Sequence, residues 1–175
     1  MLKSLFVLAF LLVGGNLGLA QVKKSTVEGV RNFAQVETTV ACAGATTPEA
    51  LSGIKKLGFA SVVNLRMATE QGANLEAEEA AAKVANITYF HIPFDSAKLD
   101  PAVVDRFLQV VTAPANQPAF IHCASGNRAA AVWMAKRVLV DKWETEKASQ
   151  EATDLGLTSS ALKTFILDYI KSHTK

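Results

Sequence analysis

The sequence predicts an α/β fold of three layers: a mainly parallel central sheet of about four or five strands with helices on both faces. Two observations carry this. Short apolar, β-branched runs alternate with longer stretches of helix formers, the pattern of βαβ units. Start and stop signals divide the two kinds of segment, with Thr47-Pro48 and Asp100-Pro101 opening helices and Gly58 and Gly156 closing them. Half of the 175 residues are hydrophobic and there is no low-complexity tract, so one sizeable core is expected.

The first twenty residues stand apart. A short basic lead through Lys3 precedes an unbroken apolar run from Leu5 to Val13, and a small-x-small ending stops at Ala20. This is the pattern of a secretory signal peptide cut after Ala20, of bacterial type, and it places the protein in the periplasm or outside the cell. Residues 1–20 are therefore expected to be leader and residues 21–175 a single domain. The apolar run is too short to span a bilayer, so no stable membrane insertion is expected after cleavage. Loss of Lys3 lowers the formal charge from +2 to +1. A near-neutral chain with scattered charges offers no basic stripe for nucleic acid.

The remaining elements follow in order. Residues 21–37 form a polar lead-in, and residues 36–41 the first strand. After a bend at residues 42–45, Thr47 caps a helix that ends at Gly58. Residues 60–65 make a buried strand ending at Arg66. An Ala/Glu-rich helix covers residues 70–86, turning Leu75, Ala82 and Val84 inward, and residues 87–93 form the third strand. A loop at residues 94–99 leads to the helix that Asp100 caps, which runs to about Val111. Pro118 starts the fourth strand, and the run from Arg128 to Val140 is strongly helix-forming. A short helix at residues 144–154 stops at Gly156. Thr158 then caps the last one, whose Leu162, Phe165, Ile166, Tyr169 and Ile170 recur at helical spacing.

This order places Cys123 at the carboxyl end of a strand, facing the amino end of a helix. Backbone N–H groups and the positive end of the helix dipole favour an anion there, thiolate included. Ala124, Ser125, Gly126 and Asn127 would line the anion, and Arg128 would add a planar two-pronged donor. Arg66 and Asp95 also stand at strand carboxyl ends, where ligands of such sheets bind. A buried core cysteine is the bland alternative for Cys123, an ordinary loop residue for Asp95, and a surface ion pair for Arg66. His122 either orients the loop beside the anion or is a satisfied core histidine. Cys42 and Cys123 are the two cysteines in an oxidising compartment, and nothing in the sequence brings them together. The histidines lack metal-ligand spacing, and no motif calls for a metal or a nucleotide cofactor.

The run His122-Cys123 to Gly126 and Arg128 resembles the active-site signature of cysteine-dependent phosphatases, and also the loop of rhodanese sulfurtransferases. Other stretches resemble one family in the right order: the compact, dual-specificity-like protein tyrosine phosphatases of bacteria, including the phosphatase-like domain found beside β-lactamase-like hydrolases. They are Asn32-Phe33 with Val36, Gly44 with Thr47-Pro48-Glu49, Leu57-Gly58-Phe59, Val62 to Arg66, Tyr89 to Pro93, and Trp143 to Leu157. The resemblance implies a cysteine-phosphatase fold and a phosphocysteine intermediate on Cys123. It further implies Arg128 on the phosphoryl oxygens, Asp95 as the acid for the leaving group, and a phosphorylated small molecule or phosphoprotein as partner. Three positions depart from the family pattern. Four residues separate Cys123 from Arg128 where these phosphatases have five, Ala129 stands where a hydroxyl is usual, and Cys42 stands where many relatives have an arginine. The short loop matches rhodanese length and keeps open a persulfide on Cys123 that shuttles between a sulfur donor and an acceptor. A catalytically silent anion-binding module is the third reading.

Overall fold

The computed structural model describes residues 22–36 and 38–174; the expected leader at residues 1–20 lies outside the described residues. A six-stranded mixed sheet forms the middle layer, in the order β1-β2-β3-β6-β4-β5. Its strands are β1 (Val22–Lys24), β2 (Ala34–Val36), β3 (Val40–Ala43), β4 (Ser61–Asn64), β5 (Thr88–His91) and β6 (Ala119–His122). The four strands β3, β6, β4 and β5 are parallel, as expected. The difference lies at the amino end. The lead-in supplies two extra strands, β1 and β2, paired antiparallel to each other and onto β3. Thr38-Thr39 makes the turn that splits the expected strand at residues 36–41. Val36 and Ala34 are buried despite their polar surroundings in sequence, so pairing with β3 decided what local composition did not.

Helices α1 (Leu51–Lys56), α2 (Leu75–Val84), α3 (Pro101–Thr112), α4 (Asn127–Leu139), α5 (Thr145–Leu155) and α6 (Ser160–His173) cover the sheet. Side chains alternate across each strand. Ala41, Ala43, Val62 and Phe120 meet Leu51 and Ile54 of α1 and Ala82 of α2, with Phe120 stacked on Phe33 at 6.2 Å. Val40, Cys42, Val63, Leu65, Ile121 and Cys123 face the other way, into the core built with α3, α4, α5 and α6. Helix α4 is buried on nearly every side, as a central helix must be, and its alanines let α5 and α6 approach closely. Its charged residue Arg137 is matched inside: Arg137 Nε and Trp133 Nε1 both donate to Glu151 Oε1 of α5, at 2.7 and 2.8 Å.

Helix boundaries moved where a capping group decided them. The predicted helix over residues 70–86 begins at Leu75, because Asn74 caps it by accepting from the Ala77 N–H. Asp100 caps α3 as expected, accepting from the Ala102 N–H. Ser159, not Thr158, caps α6. Thr47 makes no side-chain cap, and a single 3-10 turn at Pro48–Ala50 precedes the short α1. Gly156 closes α5 at φ 118°, a conformation that favours glycine. No described helix is long and apolar enough to cross a membrane.

The face carrying α2 also buries a polar cluster. His122 lies with its Nε2 2.5 Å from Glu78 Oε1, a close contact that is not an aligned hydrogen bond. Asn64 Nδ2 donates to Glu78 Oε2 at 2.9 Å and to the Tyr89 hydroxyl at 3.0 Å. Removing one member of a buried pair strands the other. Glu78→Leu should therefore cost about 3 kcal/mol. Adding His122→Phe, which keeps the stack on Phe120, should restore more than half of that. Urea unfolding of both single variants and the double variant measures the coupling.

Candidate functional site

Strand β6 ends at His122, and the chain turns through Cys123, Ala124, Ser125 and Gly126 before α4 begins at Asn127. The neighbouring backbone fixes this turn from outside. The Cys123 N–H donates to the Ala43 carbonyl, and the Ala124 carbonyl accepts from the Ala45 N–H at 3.0 Å. The Ser125 carbonyl accepts from Asn32 Nδ2 at 3.1 Å. Because each peptide unit is planar and trans, a carbonyl held outward points the next N–H inward. The Gly126 N–H accordingly points at Cys123 Sγ, 3.1 Å away. The N–H groups of Ala124, Ser125, Asn127 and Arg128 donate to no described residue. The result is a ring of inward donors around a thiol, at the amino end of a 13-residue helix.

Two glycines make the turn possible. Gly126 sits at φ 105°, which a residue with a Cβ rarely adopts. At Gly44 a Cβ would lie 3.0 Å from the Ala124 carbonyl oxygen, so the segment after β3 closes on the ring only without a side chain.

Arg128 is 7 % exposed and held along one edge. Its Nη1 donates to Glu70 Oε1 at 2.6 Å and to the carbonyls of Leu65 and Phe94, at 3.0 and 2.7 Å. Its Nη2 donates to Glu70 Oε2 at 2.8 Å. Five guanidinium donors exist, so Nε and one Nη2 hydrogen remain for a ligand. Burial alone would lower the Arg128 pKa. Glu70 and the sulfur of Cys123 outweigh it and raise the value, so the charge stays in place. For Glu70, burial pushes upward, and hydrogen bonds from Arg128 and the Met67 N–H outweigh it, holding the carboxyl below its ordinary range.

Asp95 and Arg128 line the same cleft of about 410 Å³, together with Met67, Thr69, Glu70, Ser96 and Ala97. Asp95 Oδ1 accepts from the Ala97 N–H at 2.8 Å, which fixes its turn, and Oδ2 has no bonded partner among the described residues. The structure thus brings Cys123, the ring residues, Arg128 and Asp95 to one sheet end. It does not bring the others. His122 is fully buried on the opposite face from Cys123, because successive residues of β6 alternate. Arg66 is buried as well; it donates to the carbonyls of Gln71 and Gly72 and approaches Glu70 Oε2 at 3.4 Å, so it braces the residue 70–72 turn instead of lining the cleft. The Asn127 Oδ1 accepts from the N–H groups of Thr158 and Ser159, while its Nδ2 donates to the Ser125 hydroxyl at 3.3 Å. Cys42 and Cys123 are both free thiols. Burial, then the neighbouring Cys123, pushes the Cys42 thiol well above its ordinary pKa. No cluster of three or more His, Cys, Asp or Glu side chains suited to a metal occurs among the described residues.

Sequence reasoning missed Glu70 and Asn32. Glu70 falls in an Ala/Glu-rich stretch that looks like ordinary helix surface, and nothing local distinguishes it from Glu76 or Glu79. Asn32 falls in a resembling stretch that gives it no role; its φ of 52° and its bond to Ser125 appear only in the fold.

The Glu70–Arg128 pair carries a pH signature. A carboxyl whose folded pKa is depressed contributes stability above its unfolded value, about 4.3, and loses it as pH falls through the folded value. Glu70→Gln should therefore destabilise the protein by about 2 kcal/mol at pH 7. The gap from wild type should shrink below about pH 4. Urea midpoints at pH 7 and pH 3.5 test both statements.

Solved structures share this architecture. A putative phosphatase of the DUF442 group from Shewanella putrefaciens superposes with a TM-score of 0.71 at 17% identity, covering 85% of this chain and 97% of its own. TpbA from P. aeruginosa gives 0.65 at 17% identity, with 89% and 91% covered. The core catalytic domain of the PP-IP phosphatase Siw14 from S. cerevisiae gives 0.66 at 21% identity, with 84% and 93% covered. At these identities the likeness is one of fold. No curated protein matches the sequence. A family model, that of the phosphatase-like domain of beta-lactamase hydrolase-like protein, matches residues 32–140. That span is more than half of the chain and runs from the Asn32 brace through the ring to the end of α4, and the chain therefore belongs to this phosphatase-like family.

Proposed function

We propose that the protein is a cysteine-dependent phosphatase that cleaves phosphomonoesters through a phosphocysteine on Cys123, working in the periplasm or outside the cell after loss of residues 1–20. One observation carries this reading: a thiol at the centre of inward N–H groups, with the free edge of a charge-fixed arginine beside it. Family membership supports phosphatase chemistry. TpbA is known bound to phosphotyrosine and Siw14 is a PP-IP phosphatase, both consistent with a phosphorylated substrate here.

In the first step the Cys123 thiolate attacks phosphorus as the ester P–O bond breaks. The N–H groups of the ring and the free Nε and Nη2 donors of Arg128 hold the non-bridging oxygens, where charge concentrates in the transition state. Asp95, on the flank of the cleft, gives its proton to the departing alkoxide. In the second step Asp95 takes a proton from water, which attacks phosphorus and frees the thiolate with inorganic phosphate. Ala129 offers no hydroxyl to assist the sulfur's departure, so this second step is the slower one in the proposed cycle.

A second reading, a phosphate-holding module without turnover, draws on the same geometry. Cys123 is 0 % exposed, and the four-residue ring has to widen before phosphorus reaches Sγ.

Hydrolysis of p-nitrophenyl phosphate by wild type and Cys123→Ser separates the readings. The phosphatase reading expects phosphate release that falls at least about a thousandfold in the variant. Phosphate binding without release in wild type would establish the holding module. Cys123-dependent thiocyanate from thiosulfate and cyanide, without phosphate release, would move the protein to sulfur transfer. For Asp95→Asn the expected loss is about a hundredfold, with the basic limb of the kcat/KM profile flattened. A profile with its basic limb intact would remove Asp95 from the acid role.

A further inference from the structure

The ring is flanked by two clefts, and the mechanism above uses one. The other, about 680 Å³, opens against Ser125 and Asn127 between β2, the segment after β1, and the turn joining α5 to α6. We propose that this groove holds the alcohol portion of the substrate and selects small phosphoesters whose alcohol is polyhydroxylated and carries a second anionic group, which Lys24 binds. The inference rests on the phosphatase reading for its use in catalysis, but its binding consequence stands apart from turnover.

Four observations converge. First, the groove meets the ring at Ser125 and Asn127, whose backbone N–H groups are among the free inward donors, so a phosphoryl group in the ring has its ester oxygen within reach of the groove. Second, Asp95 occupies the opposite flank; an ester oxygen protonated from that side sends its alcohol toward this one. Third, the lining has no carboxylate. Its polar groups are hydroxyls and amides, such as Ser25, Thr26, Thr158 and Asn32, with one cation, Lys24. Lys24 pairs with no carboxylate among the described residues, and its backbone is anchored by pairing with Ala34 across β1 and β2. Fourth, the groove is tied rigidly to the ring. Asn32 Nδ2 holds the Ser125 carbonyl, and Asn127 Oδ1 holds the N–H groups of Thr158 and Ser159 on the other wall.

Size and chemistry choose the ligand class. A cleft of this volume suits a small molecule. Hydroxyls and amides match a polyol, and an unpaired ammonium with no competing carboxylate matches an added phosphate or carboxylate.

The test uses the Cys123→Ser protein, which holds a ligand without turning it over. Calorimetry at low salt compares inorganic phosphate, fructose 6-phosphate and fructose 1,6-bisphosphate. The expected result is a preference of about fivefold for the bisphosphate over the monophosphate. That ratio should fall to about one in Lys24→Glu and to an intermediate value in Lys24→Gln. Lys56→Glu, an equal charge change on exposed α1 surface away from the groove, should preserve the preference. Equal affinity for the two sugars, or a preference that survives Lys24→Glu or disappears equally in Lys56→Glu, overturns the proposal while leaving the phosphatase reading intact. Failure of inorganic phosphate to bind at all overturns the anion ring itself, and the groove proposal with it.

Discussion

The pair between Glu70 and Arg128 ties the loop after β4 to the first turn of α4. Arg128 stands in the first turn of α4, Glu70 lies in the loop after β4, and the same guanidinium bonds the carbonyls of Leu65 and Phe94 just beyond the carboxyl ends of two strands. Arg66 then secures the loop that presents Glu70, through the carbonyls of Gln71 and Gly72. A charge of this kind is costly to bury alone and tolerable when each donor on one edge is met. Spending that edge on the protein sets the direction of the other edge. The arginine is thus oriented toward the ring in advance, which would lower the ordering cost for the proposed phosphoryl ligand.

The ring depends on a second constraint of the same sort. Its inward N–H groups are a consequence of outward carbonyls, each bound to a donor on β3's extension or on Asn32. Peptide planarity converts those outer bonds into the inner geometry. The added strands β1 and β2 therefore do more than extend the sheet. They carry the Asn32 segment to the ring and supply one wall of the larger groove. The amino-terminal stretch, polar and unremarkable in sequence, completes the site from one side while the loop after β5 completes it from the other.

Alternation along β6 divides the two residues that a motif writes side by side. Cys123 turns into the core shared with α3 to α6, whereas His122 turns to α2 and meets Glu78. What His122 contributes to the ring passes through its backbone, whose carbonyl accepts from the Leu65 N–H at 2.9 Å. The departures from the family pattern all concern the ring and its surroundings: one residue fewer between Cys123 and Arg128, an alanine after Arg128, and a buried thiol at Cys42. None interrupts the sheet: Cys42 sits in register opposite Ile121, and the loop and Ala129 lie beyond the end of β6.

Much of this molecule was legible in its sequence, for reasons that are local. Alternating apolar runs and helix formers, with proline and glycine at the joints, determined the parallel strands, the helix order and the position of Cys123 and Arg128 at a strand-to-helix turn. Asp100 and Gly156 announced their caps because such signals act on the nearest backbone alone. The strands β1 and β2 were not legible, since three-residue strands owe their stability to pairing partners and not to their own composition. Glu70, Asn32 and the burial of Arg66 and His122 were equally hidden. Each depends on a partner tens of residues away along the chain, and a carboxylate or amide that will meet such a partner looks, in one dimension, like any other polar residue on a surface. The sequence by itself determined which chemical groups stand at the sheet's end, and only the tertiary structure decided which of them face the turn at Cys123 and which hold those groups in place.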